Sequence, residues 1–129
     1  MESLKIRTGQ VNLQILDDLG NEKGVFSFNP EDVASARRFV EIQKELIEKQ
    51  NEFQTRTDEC TDDKSKLDLM NEVVDYFENM IDECWGKGTS ELLFGKAKSL
   101  TMFSDFFEGI APYYSKASEQ RKAKYLNKK

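Results

Sequence analysis

The chain has 129 residues, of which 38% are hydrophobic and 33% charged, and its formal net charge is −5. This length suits one packed core, so we expect residues 1–129 to form a single domain. No apolar run approaches the roughly 20 residues of a membrane span, and the first residues lack the basic and apolar regions of a secretory signal, so we expect a cytoplasmic protein without a membrane partner.

The charges are unevenly distributed along the chain. Residues 58–84 carry ten acidic side chains against two lysines, a balance of −8, whereas residues 116–129 carry six basic side chains against one acid, a balance of +5. The two regions could pair between copies, but solvated helix faces are the commoner reason for such runs. Only the basic cluster supports nucleic-acid binding in a chain with a pI near 4.9, and we expect none.

The first 29 residues are predicted to form a β-hairpin. Apolar and polar residues alternate over 11–15, the period of a half-buried strand, and turn-forming residues separate this segment from a second short strand at 25–28. Residues 4–7 are a weaker strand candidate. Because a lone hairpin is marginal in water, one face should pack on the helices that follow.

Two long amphipathic helices are predicted next, over 30–57 and 62–85, with a loop near Cys60. Asn29 suits the cap of the first helix and Pro30 its first position. The helices should form an antiparallel pair whose apolar stripes cover each other and the hairpin. The first stripe comprises Val33, Ala36, Phe39, Val40, Ile42, Leu46, Ile47 and Phe53; the second comprises Leu67, Met70, Val73, Val74, Phe77, Met80, Ile81, Cys84 and Trp85.

Residues 89–115 are predicted to hold a short helix followed by an aromatic-rich helix. Thr89 or Ser90 is expected to cap the short helix, and Gly95 to end it. Pro112 should kink or break the second helix, because proline lacks a backbone N–H and clashes with the preceding turn.

The remaining residues, 116–129, are predicted to be a basic C-terminal tail. It contains good helix formers but few apolar residues, so we expect it to be loosely attached even where it is helical. The fold class that follows is mostly α, within α+β: a small N-terminal β-hairpin packed on an antiparallel bundle of three to four helices.

No catalytic arrangement is recognisable in the sequence. Histidine, the commonest general base and metal ligand, is absent. Cys60 and Cys84 stand far apart and are expected to be ordinary thiols, and the glycines at 86–89 lack the spacing of a phosphate-binding loop. Asp75 and Glu78 could share a cation, but an acidic outer helix face is the commoner role for such a pair. We therefore expect no enzyme activity, no metal and no cofactor.

The apolar clusters between Trp85 and Tyr114 are the least ordinary part of the chain. About two-thirds of these residues are expected to be core, a rough single-sequence estimate. A chain this short is not expected to bury both clusters completely, and an exposed apolar patch marks a partner site, most simply for self-association. The candidate protein-binding residues are Trp85, Leu92, Leu93, Phe94, Phe103, Phe106, Phe107, Ile110 and Tyr113.

Three motifs within residues 82–114 form a recognisable series. They are an aromatic-Gly-x-Gly-Thr turn at 85–89, an apolar-Phe-Gly element at 92–95, and a helix with paired phenylalanines at 106–107 that ends in Pro-Tyr. This series resembles the C-terminal signature of tail assembly chaperones from long-tailed, siphovirus-type phages and prophages of Gram-positive bacteria. The short β start and the Asn-Pro entry to the first helix are also similar to that family.

The resemblance implies a role without catalysis in the cytoplasm of the infected cell. Such chaperones bind the tape measure protein, shield its apolar helices from aggregation, help to recruit subunits of the major tail tube protein, and are absent from the mature virion. Many are made in two forms, the longer one by ribosomal frameshifting. The alternative is a small phage or bacterial adaptor that regulates a host protein by helical docking, and a carboxylate-based enzyme is a third class with little support.

Overall fold

The computed structural model describes residues 1–126, and its architecture is the predicted α+β hairpin followed by four helices. In chain order the elements are β1 (Val11–Leu16), β2 (Glu22–Phe28), α1 (Val33–Glu59), α2 (Asp63–Trp85), α3 (Thr89–Phe94), α4 (Leu100–Arg121) and a π-helical turn (Lys122–Leu126). Of the helices described, none is both long enough and apolar enough to cross a membrane.

The hairpin pairs β1 with β2 antiparallel, with Val11 opposite Phe28 and an irregularity after Ile15. The predicted alternation is confirmed, because every second side chain of β1 is half-buried. The inner face of β2 is buried more deeply, since Phe26 and Phe28 are only 3% and 5% exposed. The weaker strand candidate at 4–7 is wrong: these residues are exposed and have no strand partner.

The first helix begins three residues later than predicted. Its cap is Asp32, whose carboxylate accepts hydrogen bonds from the backbone N–H groups of Ala34 at 2.9 Å and Ser35 at 3.4 Å. The Asn29 side chain accepts instead from the N–H groups of Glu31 and Asp32, and so closes a turn ahead of the helix. Because an aspartate follows this turn at the right distance, the carboxylate takes the capping position from the asparagine.

The helix directions follow from contacts at their two ends. Arg56 of α1 binds Glu72 of α2 at 2.8 Å, and Arg38 approaches Glu83 at 3.8 Å, so α1 and α2 are antiparallel as predicted. At the far end of α4, the Arg121 guanidinium donates to the carbonyl of Pro30 at 3.2 Å, which makes α4 antiparallel to α1 as well. Consequently α2 and α4 run in the same direction, and the segment containing α3 returns the chain between them.

The aromatic-rich helix α4 is continuous through Pro112, so of the predicted kink or break, the break is absent. One lost backbone hydrogen bond is offset by the burial of Ile110 and Tyr114, which are 2% and 5% exposed on either side of the proline. The helix also passes the predicted boundary at residue 115 and buries Ala117 before it ends at Arg121. Residues 127–129 of the predicted tail lie outside the described residues.

Several residues of the predicted helix stripes face solvent. Val33, Val40 and Ile47 are 68%, 49% and 61% exposed, because they form a line of their own at seven-residue spacing on α1, turned about 100° from the buried Phe39. On α2, Leu67 is 63% exposed, and the inward position belongs to Leu69, which is 6% exposed.

The core lies where the inner face of the hairpin meets α1, α2, α3 and α4. Its aromatic rings make many edge-to-face contacts, such as that between Phe26 and Phe106, whose centroids are 5.5 Å apart. Its buried members are Phe26, Phe28, Phe39, Ile42, Val73, Val74, Phe77, Met80, Ile81, Phe94, Phe103, Phe106, Ile110 and Tyr114.

Candidate functional site

The nine candidate protein-binding residues fall into three classes of exposure. Phe94, Phe103, Phe106 and Ile110 are buried, Trp85, Leu92, Leu93 and Phe107 are half-buried, and Tyr113 is exposed. The buried side chains belong to the core and offer almost no surface to a partner while the fold is intact. The stretch from Trp85 to Tyr114 is therefore in large part structural. Its less buried residues, where they meet other helices, are the part open to a partner.

At one end of the bundle, Tyr114 of α4 contacts both α1 and α2. The ring of Tyr114 stacks on Phe39 with centroids 4.3 Å apart. Its hydroxyl lies 2.8 Å from the Ser35 hydroxyl and accepts a hydrogen bond from the Trp85 indole N–H at 3.3 Å. Burial raises the pKa of Tyr114, and these two hydrogen bonds oppose the shift. This network joins α1, α2 and α4 at this end.

Asp82 of α2 closes the turn before α3. Its carboxylate accepts hydrogen bonds from the backbone N–H of Ser90 at 2.8 Å and from the Ser90 hydroxyl at 3.1 Å. The predicted cap by a Thr89 or Ser90 side chain is therefore wrong, because neither hydroxyl caps the helix and an acceptor from the preceding helix takes that role. Gly95 ends α3 as predicted, with a φ of 63°.

At the opposite end, α1 and α4 diverge and leave an open groove of about 590 Å³ above α2. We call it the helix groove. Nine apolar side chains line it: Leu46 and Phe53 of α1, Leu69, Met70, Val73 and Phe77 of α2, and Leu100, Phe103 and Phe107 of α4. The floor is well fixed, because Leu69, Val73 and Phe77 are buried at successive four-residue steps along α2.

Polar residues form the rim of the helix groove. They are Gln50, Gln54 and Thr57 on α1, Lys66 on α2, and Ser104 and Glu108 on α4. The α1 side of the rim is thus uncharged, and the Gln54 amide nitrogen there donates to Asp58 at 3.1 Å. An apolar floor bounded by such a rim matches the general way in which a groove receives the apolar face of an amphipathic helix.

The residues that line the helix groove lie within the part of the chain that matches a protein family. Residues 20–129 match the model of a family of unknown function (DUF6673). The chain belongs to this family. The family match includes β2 and every helix that lines the groove, whereas β1 and the residues before it lie outside the match. No curated protein and no solved structure matches the chain.

The sequence pattern identified two residues of the helix groove as candidates, Phe103 and Phe107. It missed the contributions of α1 and α2, where Leu46, Phe53 and Met70 had been assigned to helix stripes that cover each other. The four-residue spacing of Leu69, Val73 and Phe77 was the indication in the sequence that these residues form one buried line. Nothing local indicated that α1 and α4 diverge at this end.

The acidic pair considered as a cation site and the Cys84 thiol are accounted for by contacts within the fold. Asp75 and Glu78, considered above as a cation site, both bind the ammonium group of Lys98, at 3.1 and 2.6 Å, and hydrogen bonds to Glu78 and then Asp75 raise the pKa of Lys98. Burial raises the pKa of the Cys84 thiol to about 11, which leaves it protonated and weakly reactive near neutral pH. Within residues 1–126 no cluster of three or more acidic, cysteine or histidine side chains is arranged to hold a metal ion.

Proposed function

We propose that this protein is a tail assembly chaperone of long-tailed phages or prophages of Gram-positive bacteria. It binds apolar helices of the tape measure protein in the helix groove, keeps that protein soluble, and helps to recruit subunits of the major tail tube protein. The role involves no catalysis. The protein works in the cytoplasm of the host bacterium and is absent from the mature virion.

The observation that carries this proposal is the open apolar groove between α1, α2 and α4. Soluble proteins rarely leave such a continuous apolar surface without a partner, because covering apolar area stabilises a complex by about 25 cal/mol per Å². The resemblance of residues 82–114 to tail assembly chaperones identifies the class of partner. A helical client with an apolar face suits both the shape and the polar rim of the groove.

Exposed positions that line the helix groove allow a test that spares the core. Met70 is 45% exposed and Ser104 is exposed, so both can be replaced by glutamate with little strain on the fold. The doubly substituted Met70→Glu, Ser104→Glu chain places two charges in the path of an apolar helix. The matched control is Val40→Glu with Ser115→Glu, an equal change on exposed positions of α1 and α4 that do not line the groove.

The experiment is co-expression with the tape measure protein encoded near this gene. We expect the unmodified chain and the control variant to raise the soluble fraction of the tape measure protein several-fold, and the groove variant to leave it at the level seen without this chain. Circular dichroism establishes that each variant is folded. If the tape measure protein is equally soluble without this chain, the chaperone function is wrong, and docking to a host protein becomes the better hypothesis. If the groove variant works as well as its control, the client binds elsewhere.

A further inference from the structure

Residues 1–8, which we call the arm, have the sequence pattern of a strand but pair with no strand among residues 1–126. Leu4 and Ile6 alternate with Lys5 and Arg7, and the two apolar side chains are 84% and 75% exposed. Period-two alternation is the pattern of a strand that buries one face. The arm therefore carries an apolar face that no residue in the described part of the chain covers.

The outer edge of β1 offers the complementary feature. Over the described residues the sheet has two strands, so β1 is paired with β2 on one side and presents unpaired backbone N–H and C=O groups on the other. On its inner face, Val11, Leu13 and Ile15 are only half-buried. A third strand at this edge would satisfy the backbone groups and complete the burial of those side chains.

A second groove, of about 730 Å³, lies beside the end of β1, between the hairpin turn and α4. We call it the hairpin groove. Ile15 and Leu16 of β1 and Met102 of α4 supply apolar lining. Its charged residues are Asp17, Asp18 and Asp105 against Lys23, whose ammonium group donates to the carbonyl of Leu93 at 3.0 Å. The groove is therefore acidic on balance, whereas Lys5 and Arg7 lie next to the apolar residues of the arm. Among the residues described, Lys5, Arg7, Asp18 and Asp105 take part in no salt bridge.

The base of the arm is held beside the segment that follows β2 in its own chain. The Thr8 carbonyl accepts a hydrogen bond of 2.7 Å from the Asn29 side chain, and Gly9 packs against the side chain of Glu31. Asn29 follows directly after β2, so these contacts hold residues 8 and 9 on the β2 side of the hairpin. The outer edge of β1 stays open to the arm of another molecule.

We propose that the arm of one copy of this protein adds as a third strand to the outer edge of β1 in a second copy. Leu4 and Ile6 enter the hairpin groove of that copy, and Lys5 and Arg7 lie near its acidic rim. Strand addition of this kind gains main-chain hydrogen bonds and side-chain burial together. Reciprocal exchange makes a closed pair with twofold symmetry. The pairing does not depend on the proposed chaperone function, because it uses the hairpin and leaves the helix groove open.

The first test measures the mass of the purified full-length chain by sedimentation over a range of concentrations. We expect a dimer, and at least tenfold weaker association for the Leu4→Ser, Ile6→Ser variant. The matched control is Val33→Ser with Leu67→Ser, which removes two apolar residues of the helices that are 68% and 63% exposed. It should dimerise like the unmodified chain. A monomer at every concentration, including one whose arm folds back on its own β1, overturns the proposal, as does an unchanged dimer without Leu4 and Ile6.

A charge exchange tests the orientation of the arm against the acidic rim. The Lys5→Glu, Arg7→Glu variant and the Asp18→Lys, Asp105→Lys variant should each associate at least tenfold more weakly. Joining all four substitutions returns the formal net charge to that of the natural chain, and we expect dimerisation to recover. If the fourfold variant stays as weak as either parent, the hairpin groove is not the acceptor. Since only this chain is present, these results are independent of the solubility of the tape measure protein.

Discussion

Tyr114 is the residue at which three helices meet, since it stacks on Phe39 of α1 and hydrogen-bonds to Trp85 of α2. The Tyr114→Phe variant keeps the stacked ring and removes the hydroxyl, so that Ser35 and Trp85 both lose a partner. Net contributions of about 1 kcal/mol per hydrogen bond predict a loss of about 1–2 kcal/mol in the free energy of unfolding. Urea denaturation followed by tryptophan fluorescence and circular dichroism measures it.

The neighbouring Tyr113 supplies the control for this prediction. It is 37% exposed, so Tyr113→Phe should change the free energy of unfolding by less than about 0.5 kcal/mol. Equal effects of the two substitutions would mean that the buried hydroxyl of Tyr114 contributes nothing to the joining of the helices.

At the scale of elements, the placement of α3 depends on Asp82. A six-residue helix is too short to be stable alone, and its start has no capping side chain of its own. The Asp82→Ala variant removes the acceptor for the Ser90 N–H and hydroxyl. We expect the free energy of unfolding to fall by about 0.5–2 kcal/mol, the usual effect of losing a helix cap.

Hydrogen exchange then distinguishes a local effect from a general one. Amide protons of residues 89–95 should exchange faster in Asp82→Ala. Those in the middle of α2 should exchange faster only to the extent that the global stability falls. Glu83→Ala is the matched control, because its side chain is 74% exposed. If the two variants exchange alike over 89–95, Asp82 does not hold α3 in place.

For the molecule as a whole, the contact between Gly24 and Leu92 sets how closely the hairpin approaches α3. A β-carbon at Gly24 would come within 2.6 Å of a methyl group of Leu92, and the backbone φ of +154° also disfavours a side chain. We expect Gly24→Val to lower the free energy of unfolding by about 1–3 kcal/mol through overpacking. Thermal and urea denaturation of the purified chain measure the loss.

A double-mutant cycle isolates the close approach from the backbone strain. In a Leu92→Ala background the methyl group is absent, so the additional cost of Gly24→Val should be smaller by roughly 1 kcal/mol. Strain at φ remains in both backgrounds. Strictly additive effects would show that the hairpin and α3 do not constrain each other at this point.

Local patterns were sufficient to predict most of the fold. The alternation over 11–15, the three- and four-residue apolar steps of α1 and α2, and the glycine at the end of α3 each correspond to an observed element. These features depend on contacts between residues that are close in sequence, for which periodicity and capping chemistry are direct evidence. Even here the cap moved from Asn29 to Asp32, because two adjacent candidates compete.

Local sequence patterns are enough to predict a mostly helical chain with a β-hairpin start and an aromatic core. Three features depend on the packing of the helices: Phe103 and Phe107 line the helix groove whereas Phe106 does not, Val40 faces solvent, and Asp82 accepts hydrogen bonds from the start of α3. The reason is physical: an apolar residue on a helix has the same local pattern whether another helix covers it or diverges from it. Which of these happens depends on the directions of α1 and α4, set by distant contacts such as those of Tyr114.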